Sequence, residues 1–127
     1  MDRCVSKRKR GYALRSAVTH HYAVRLRRWR AAWIPALDLL AENNVGLNYC
    51  RVRAFPFTDA VREFIDQHDV VYVVEQNRDA QLRTLLITDI DADQRKLVSV
   101  LHYDGMPMHA SFVVDRVLEE IARGRAA

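Results

Sequence analysis

The sequence predicts an α/β fold of three layers, αβα, with a mostly parallel sheet. Three observations predict it. From Ile34 onward, segments of helical period alternate with short strand-like runs. The run Val70–Val74, "VVYVV", is apolar without alternation, as in strands covered on both faces. The linkers between segments are short, which favours helices crossing over between parallel strands.

The elements follow in order. Pro35 suits a first helical position, and Leu37, Leu40 and Ala41 recur at helical spacing; Asn43, Asn44 and Gly46 close that helix. "LNYCRVRAF" alternates, with Leu47, Tyr49, Arg51 and Arg53 on one face and Asn48, Cys50, Val52 and Ala54 on the other, and Pro56 breaks it. Thr58 is placed to cap a second helix, with Asp59 at its positive end and Val61, Phe64 and Ile65 as its apolar stripe. "VVYVV" is the next strand. Leu82, Leu85 and Leu86 mark a third helix. "DIDADQRK" is a charged turn lacking the glycine and closing glutamate of a calcium loop. "LVSVL" is a further strand, "HYDGMPMH" a loop, and Ser111 a candidate cap for a last helix ended by Gly124. Its stripe is Val114, Leu118 and Ile121, widened by Val113 and Val117.

In open parallel sheets, sites lie beyond the carboxyl ends of the strands. That rule gathers Arg53, Glu75, Asn77, Arg78, His102, Tyr103 and Asp104 on one rim. A general acid–base pair, His102–Asp104 or His102–Glu75, is chemically feasible there. A local salt bridge or an interface pair of Glu75 and Arg78, and a structural role for His102, are the simpler expectations. No catalytic, cofactor-binding or metal-ligating residue is assigned. Dinucleotide, P-loop, nucleophile-elbow and zinc-protease motifs are missing, as is a GDG-type loop of the kind that holds a diphosphate through magnesium. Four glycines leave little for a phosphate cradle.

Charge divides the chain. Residues 1–30 carry ten Lys and Arg against a single acid, Asp2, whereas the remainder is acidic overall. The expected organisation is a basic segment 1–33 and an α/β domain 34–124. Three readings of the segment compete: a nucleic-acid or anionic-surface tail, a targeting peptide, and an upstream reading frame or misplaced start joined to a real domain. His20–His21 lack a spaced third ligand for a metal. Cys4 and Cys50 stand far apart with no CxxC, too few for a disulfide scaffold or an iron–sulfur cluster, so a reducing, cytoplasmic setting is expected. No run approaches the roughly 20 apolar residues of a membrane helix.

Three stretches, "NYCRVRAFPF…AVREFI", "VVYVVEQNRDAQLRTLL" and "KLVSVLHYDGMPMHA", carry a resemblance covering about Leu37 to Ile121. They resemble the C-terminal part of the α subunit of 2-oxoacid:ferredoxin oxidoreductases of the 2-oxoglutarate type, a transketolase C-terminal-like domain. The resemblance implies the three-layer fold and a place in a complex that oxidatively decarboxylates a 2-oxoacid with coenzyme A and ferredoxin. Thiamine diphosphate, magnesium and iron–sulfur clusters belong to that complex, none of them to this chain. The implied partners are the β subunit and, through the complex, ferredoxin. By the same analogy Arg53, Glu75, Asn77, Arg78, His102, Tyr103 and Asp104 are docking residues, and the chain is inert alone. "YAVRLRRWRAAW" departs from the family where its first strand and glycine turn belong, and the preceding domain of the family is missing. The resemblance therefore implies that the first strand is lacking, unless "YAVRL" (22–26) substitutes for it, and it favours the reading-frame account of residues 1–30. A small binding module with a nucleic-acid-binding basic tail is the alternative. A free-standing enzyme built on His102, Tyr103 and Asp104 is a third.

Overall fold

The computed structural model describes residues 3–5, 15–20, 35–43, 45–52 and 55–124. Among the described residues nine elements follow one another: β1 (Arg3–Val5), β2 (Arg15–His20), α1 (35–42), β3 (Leu47–Val52), α2 (Asp59–Asp66), β4 (Val70–Glu75), α3 (Gln81–Ile90), β5 (Leu97–Leu101) and α4 (Ala110–Ala122). One five-stranded sheet joins the strands in the order β1-β3-β2-β4-β5. β3, β2, β4 and β5 run parallel, and β1 pairs antiparallel with β3 at one margin.

Strand parity divides the core in two. Tyr72 and Val74 of β4 and Val98 and Val100 of β5 meet Leu40 of α1 and Val113, Val114 and Val117 of α4. Val71 and Val73, with Cys50 and Val52 of β3, meet Val61, Phe64 and Ile65 of α2 and Leu82 and Leu86 of α3. Residues 71 to 74 are all fully buried because each face of β4 carries a helical layer. This is the three-layer αβα arrangement that "VVYVV" predicts.

The strands expected from "LNYCRVRAF", "VVYVV" and "LVSVL" form β3, β4 and β5, but they are not side by side throughout. Instead β2 sits between β3 and β4, in register from Arg15 opposite both Leu47 and Val70. The basic segment thus supplies the middle of the sheet, and β3 is paired on both sides. Residues 22–26, the expected substitute strand, lie outside the described residues. "RSAVTH" escapes pattern reading because a six-residue strand of mixed polarity lacks the apolar run usual for a central parallel strand.

Helix ends follow local chemistry. Thr58 stands at the N-cap of α2 in extended conformation, its carbonyl accepting the Val61 N–H at 3.1 Å, but its side chain makes no capping bond. α4 starts at Ala110 after His109, so Ser111 lies within its first turn and is not the cap. Gly124, at φ +77°, turns the chain out of α4, as glycine does after a helix.

Cys50 is disulfide-bonded and fully buried. The sequence holds one other cysteine, Cys4, whose backbone lies opposite Cys50 in the β1–β3 register. The antiparallel return of β1 brings together positions whose separation in sequence suggested no pairing. Among the described residues no helix is long and apolar enough to cross a membrane.

Candidate functional site

The carboxyl ends of β3, β4 and β5 open onto one border, where the loops after Val52, Glu75 and Leu101 carry most of the expected polar residues. Their side chains do different things there.

Glu75 ends β4 and is 2% exposed. Its Oε1 accepts the Leu82 N–H at 2.6 Å and its Oε2 the Arg83 N–H at 3.2 Å. Both amides belong to the first turn of α3, whose N–H groups have no partners inside the helix. The residue at the N-cap itself, Ala80, has no side-chain acceptor and adopts a left-handed backbone, φ 50°. A carboxylate on the preceding strand therefore supplies the cap from outside, where the positive helix end favours it. Asn77 extends the arrangement. Its Nδ2 donates to Glu75 Oε1 at 2.8 Å, while its Oδ1 accepts from the Asp79 and Gln81 amides at 3.1 and 3.3 Å. The polar corner after the greasy strand is a helix-capping device. Burial of Glu75 is tolerated because its oxygens are bonded.

The expected Glu75–Arg78 salt bridge is not formed. Arg78 turns outward and pairs with Asp79 at 3.2 Å, both well exposed. Such a pair contributes little.

His102 is buried on the other side of the sheet. Its backbone N–H donates to the Glu75 carbonyl at 2.9 Å, continuing the β4–β5 ladder. Its ring packs edge-on against Phe112 of α4 at 4.7 Å. Glu75 turns to α3 and His102 to α4, so the sheet separates them and the His102–Glu75 acid–base pair is excluded. His102 Nε2 does approach Asp104 Oδ1, at 3.4 Å, with Asp104 exposed. That contact is long for a hydrogen bond. Asp104 Oδ1 is also the acceptor for the Met106 N–H at 2.8 Å, which fixes the turn at Gly105, φ +81°. Tyr103 is 63% exposed. Beside these residues lies an open depression of about 530 Å³, lined also by Ser99, Leu101, Phe112 and Arg116. Arg53 lies outside the described residues.

Sequence reasoning missed two polar devices. On the α2 side, buried His68 and Asn48 join strand to helix: His68 Nδ1 donates to the Phe64 carbonyl, and Nε2 faces Asn48 Nδ2 at 2.7 Å. A carbonyl can only accept, so Nδ1 carries the hydrogen and Nε2 accepts from the amide. The available signal was Asn48 on the strand face of Cys50 and Val52. Arg83 is the second. Its Nε donates to the Leu97 carbonyl and its Nη2 to the Gln94 carbonyl, both at 3.1 Å, tying α3 to the start of β5. In the charged turn, the Arg95 guanidinium bonded to Asp93 holds that carboxyl below its ordinary range. Among the described residues no group of three or more His, Cys, Asp or Glu is placed to hold a metal.

Comparison with known proteins bears on the fold. No protein-family profile and no curated protein sequence matches the chain. Solved structures do, and two of them bear on the fold. One is a 2-oxoglutarate:ferredoxin oxidoreductase from Magnetococcus marinus with 2-oxoglutarate, coenzyme A and succinyl-CoA bound, at TM-score 0.72 and 18% identity over 95% of this chain. This chain spans 20% of that one. The other is the alpha chain of a probable 2-oxoacid ferredoxin oxidoreductase from Thermoplasma acidophilum, at TM-score 0.57 and 19% identity over 95% of this chain and 97% of that chain. At such identities the likeness establishes a shared fold.

Proposed function

We propose that the chain serves as the C-terminal, transketolase C-terminal-like domain of the α subunit of a 2-oxoacid:ferredoxin oxidoreductase, with a structural role in assembly. The observation that carries this reading is the fold likeness over 95% of the chain to two such oxidoreductases, one of them an alpha chain covered almost end to end. In this reading the whole complex decarboxylates a 2-oxoacid such as 2-oxoglutarate, forms the acyl-CoA and passes electrons to ferredoxin.

Among the described residues, the polar groups at the rim and Cys50 are a poor fit for the complex's cofactors. The buried carboxylate at the rim, Glu75, is committed to the α3 cap. Cys50 is held in a disulfide and offers no thiolate to a cluster. Thiamine diphosphate, magnesium and iron–sulfur clusters are assigned to the partner subunits, and no reaction step is assigned to this chain. Of the residues first considered for docking, Glu75, Asn77 and His102 are turned inward. Exposed Arg78, Tyr103 and Asp104, together with exposed Phe55 after β3, are what the described border offers to a neighbouring subunit. A cytoplasmic location goes with the reading.

The test is co-expression with the thiamine-diphosphate-binding subunit. A tagged chain is expected to capture that subunit, and the pair, not the chain alone, to reduce viologen with a 2-oxoacid and coenzyme A. Turnover by the chain alone, or no capture, contradicts the proposal.

A further inference from the structure

Among the described residues the sheet ends at β5, beyond which no further strand pairs. The ladder to β4 uses alternate residues of β5: Val71 donates to the Lys96 carbonyl at 2.8 Å, and His102 donates to the Glu75 carbonyl at 2.9 Å. In a parallel pair this parity turns the N–H and C=O groups of Val98 and Val100 inward, and those of Leu97, Ser99 and Leu101 outward. Arg83 already occupies the Leu97 carbonyl. Two consecutive outward positions remain, Ser99 and Leu101. Both line the depression that also touches Phe112 and Arg116 of α4, so the helix leaves room beside them. Open margins of this kind pair with other strands unless they are blocked.

We infer that β5 pairs antiparallel with β5 of a second copy of this chain, about a two-fold axis at Val100. That register sets Ser99 opposite Leu101 of the second copy and Leu101 opposite its Ser99. Each outward N–H and C=O then finds a partner, and each half-exposed leucine covers a small serine. The same register brings Asp104, exposed at 64% and drawn toward no cation stronger than His102, level with Lys96 of the second copy. It brings exposed Tyr103 level with Leu97 of the second copy. Opposite charges thus meet twice, once on each side of the axis. The inference does not depend on the proposed enzyme role, and it does not use Arg78 or Phe55.

Sedimentation velocity of the full chain under reducing conditions tests it. The wild-type chain is expected to dimerise. In Ser99→Pro the outward N–H is removed twice per dimer while the ladder to β4 is untouched, since proline is tolerated at such edge positions. Its dissociation constant should rise about tenfold or more, with an unchanged circular-dichroism spectrum. Should that variant not fold, the charge swap decides. Asp104→Lys alone weakens the dimer, and adding Lys96→Asp restores it. A wild-type chain that stays monomeric, a folded Ser99→Pro dimer of unchanged affinity, or a swap that restores nothing overturns the inference. So does an edge occupied by a different subunit.

Discussion

The Glu75 carboxylate lies 2.6 Å from the Leu82 amide nitrogen, joining the last residue of β4 to the first turn of α3. This single contact explains why so apolar a strand ends in so polar a corner. The turn needs a left-handed residue at Ala80, which leaves the N-cap position without an acceptor of its own. The strand supplies one instead, and burial shields the carboxylate–helix attraction from solvent.

Glu75→Ala is therefore expected to destabilise the fold by about 2–3 kcal/mol, since two buried amides lose their acceptor. Glu75→Gln retains one acceptor but turns an NH₂ toward the other amide, and should cost about half as much. Urea denaturation of the three chains measures both. A Glu75→Ala midpoint equal to wild type refutes the capping account.

Ala80→Gly should act in the opposite direction. Ala80 holds φ 50°, a conformation costly for a side chain and free for glycine. The gain is about 0.5–1 kcal/mol after the added flexibility of the unfolded chain is counted. Thermal unfolding reads it as a rise in midpoint, and a fall would mean that the turn is not left-handed.

Asn48→Ala strips His68 Nε2 of its donor inside the α2 layer. The expected cost is about 1–2 kcal/mol. Nitrogen-15 NMR of the wild-type imidazole should show hydrogen on Nδ1. Hydrogen on Nε2 with Nδ1 bare would contradict the assigned bond to Phe64.

Much of this architecture was legible in advance. α2 buries Val61, Phe64 and Ile65, the three residues its period singles out. β4 is doubly covered, as its unalternating run implies. Glu75, Asn77 and His102 stand at the strand ends where the rim was expected. What they do there was hidden, because parity beyond a strand end decides whether two rim residues face each other, and here it sets Glu75 and His102 on opposite layers. β2 was hidden for another reason. A short strand inserted between two others is specified by pairing with both neighbours, a non-local property that "RSAVTH" does not announce in its own pattern. The same non-local return of β1 concealed the pairing of Cys50.

The middle position of β2 is the claim on which the rest depends, since it closes the gap between β3 and β4 and makes the layers continuous. Amide hydrogen exchange on the isolated chain tests it most directly. Residues 16–19 are expected to exchange as slowly as residues 71–74 of β4, with which they share a ladder. Fast exchange across 16–19 beside a protected β4 would contradict the five-stranded sheet.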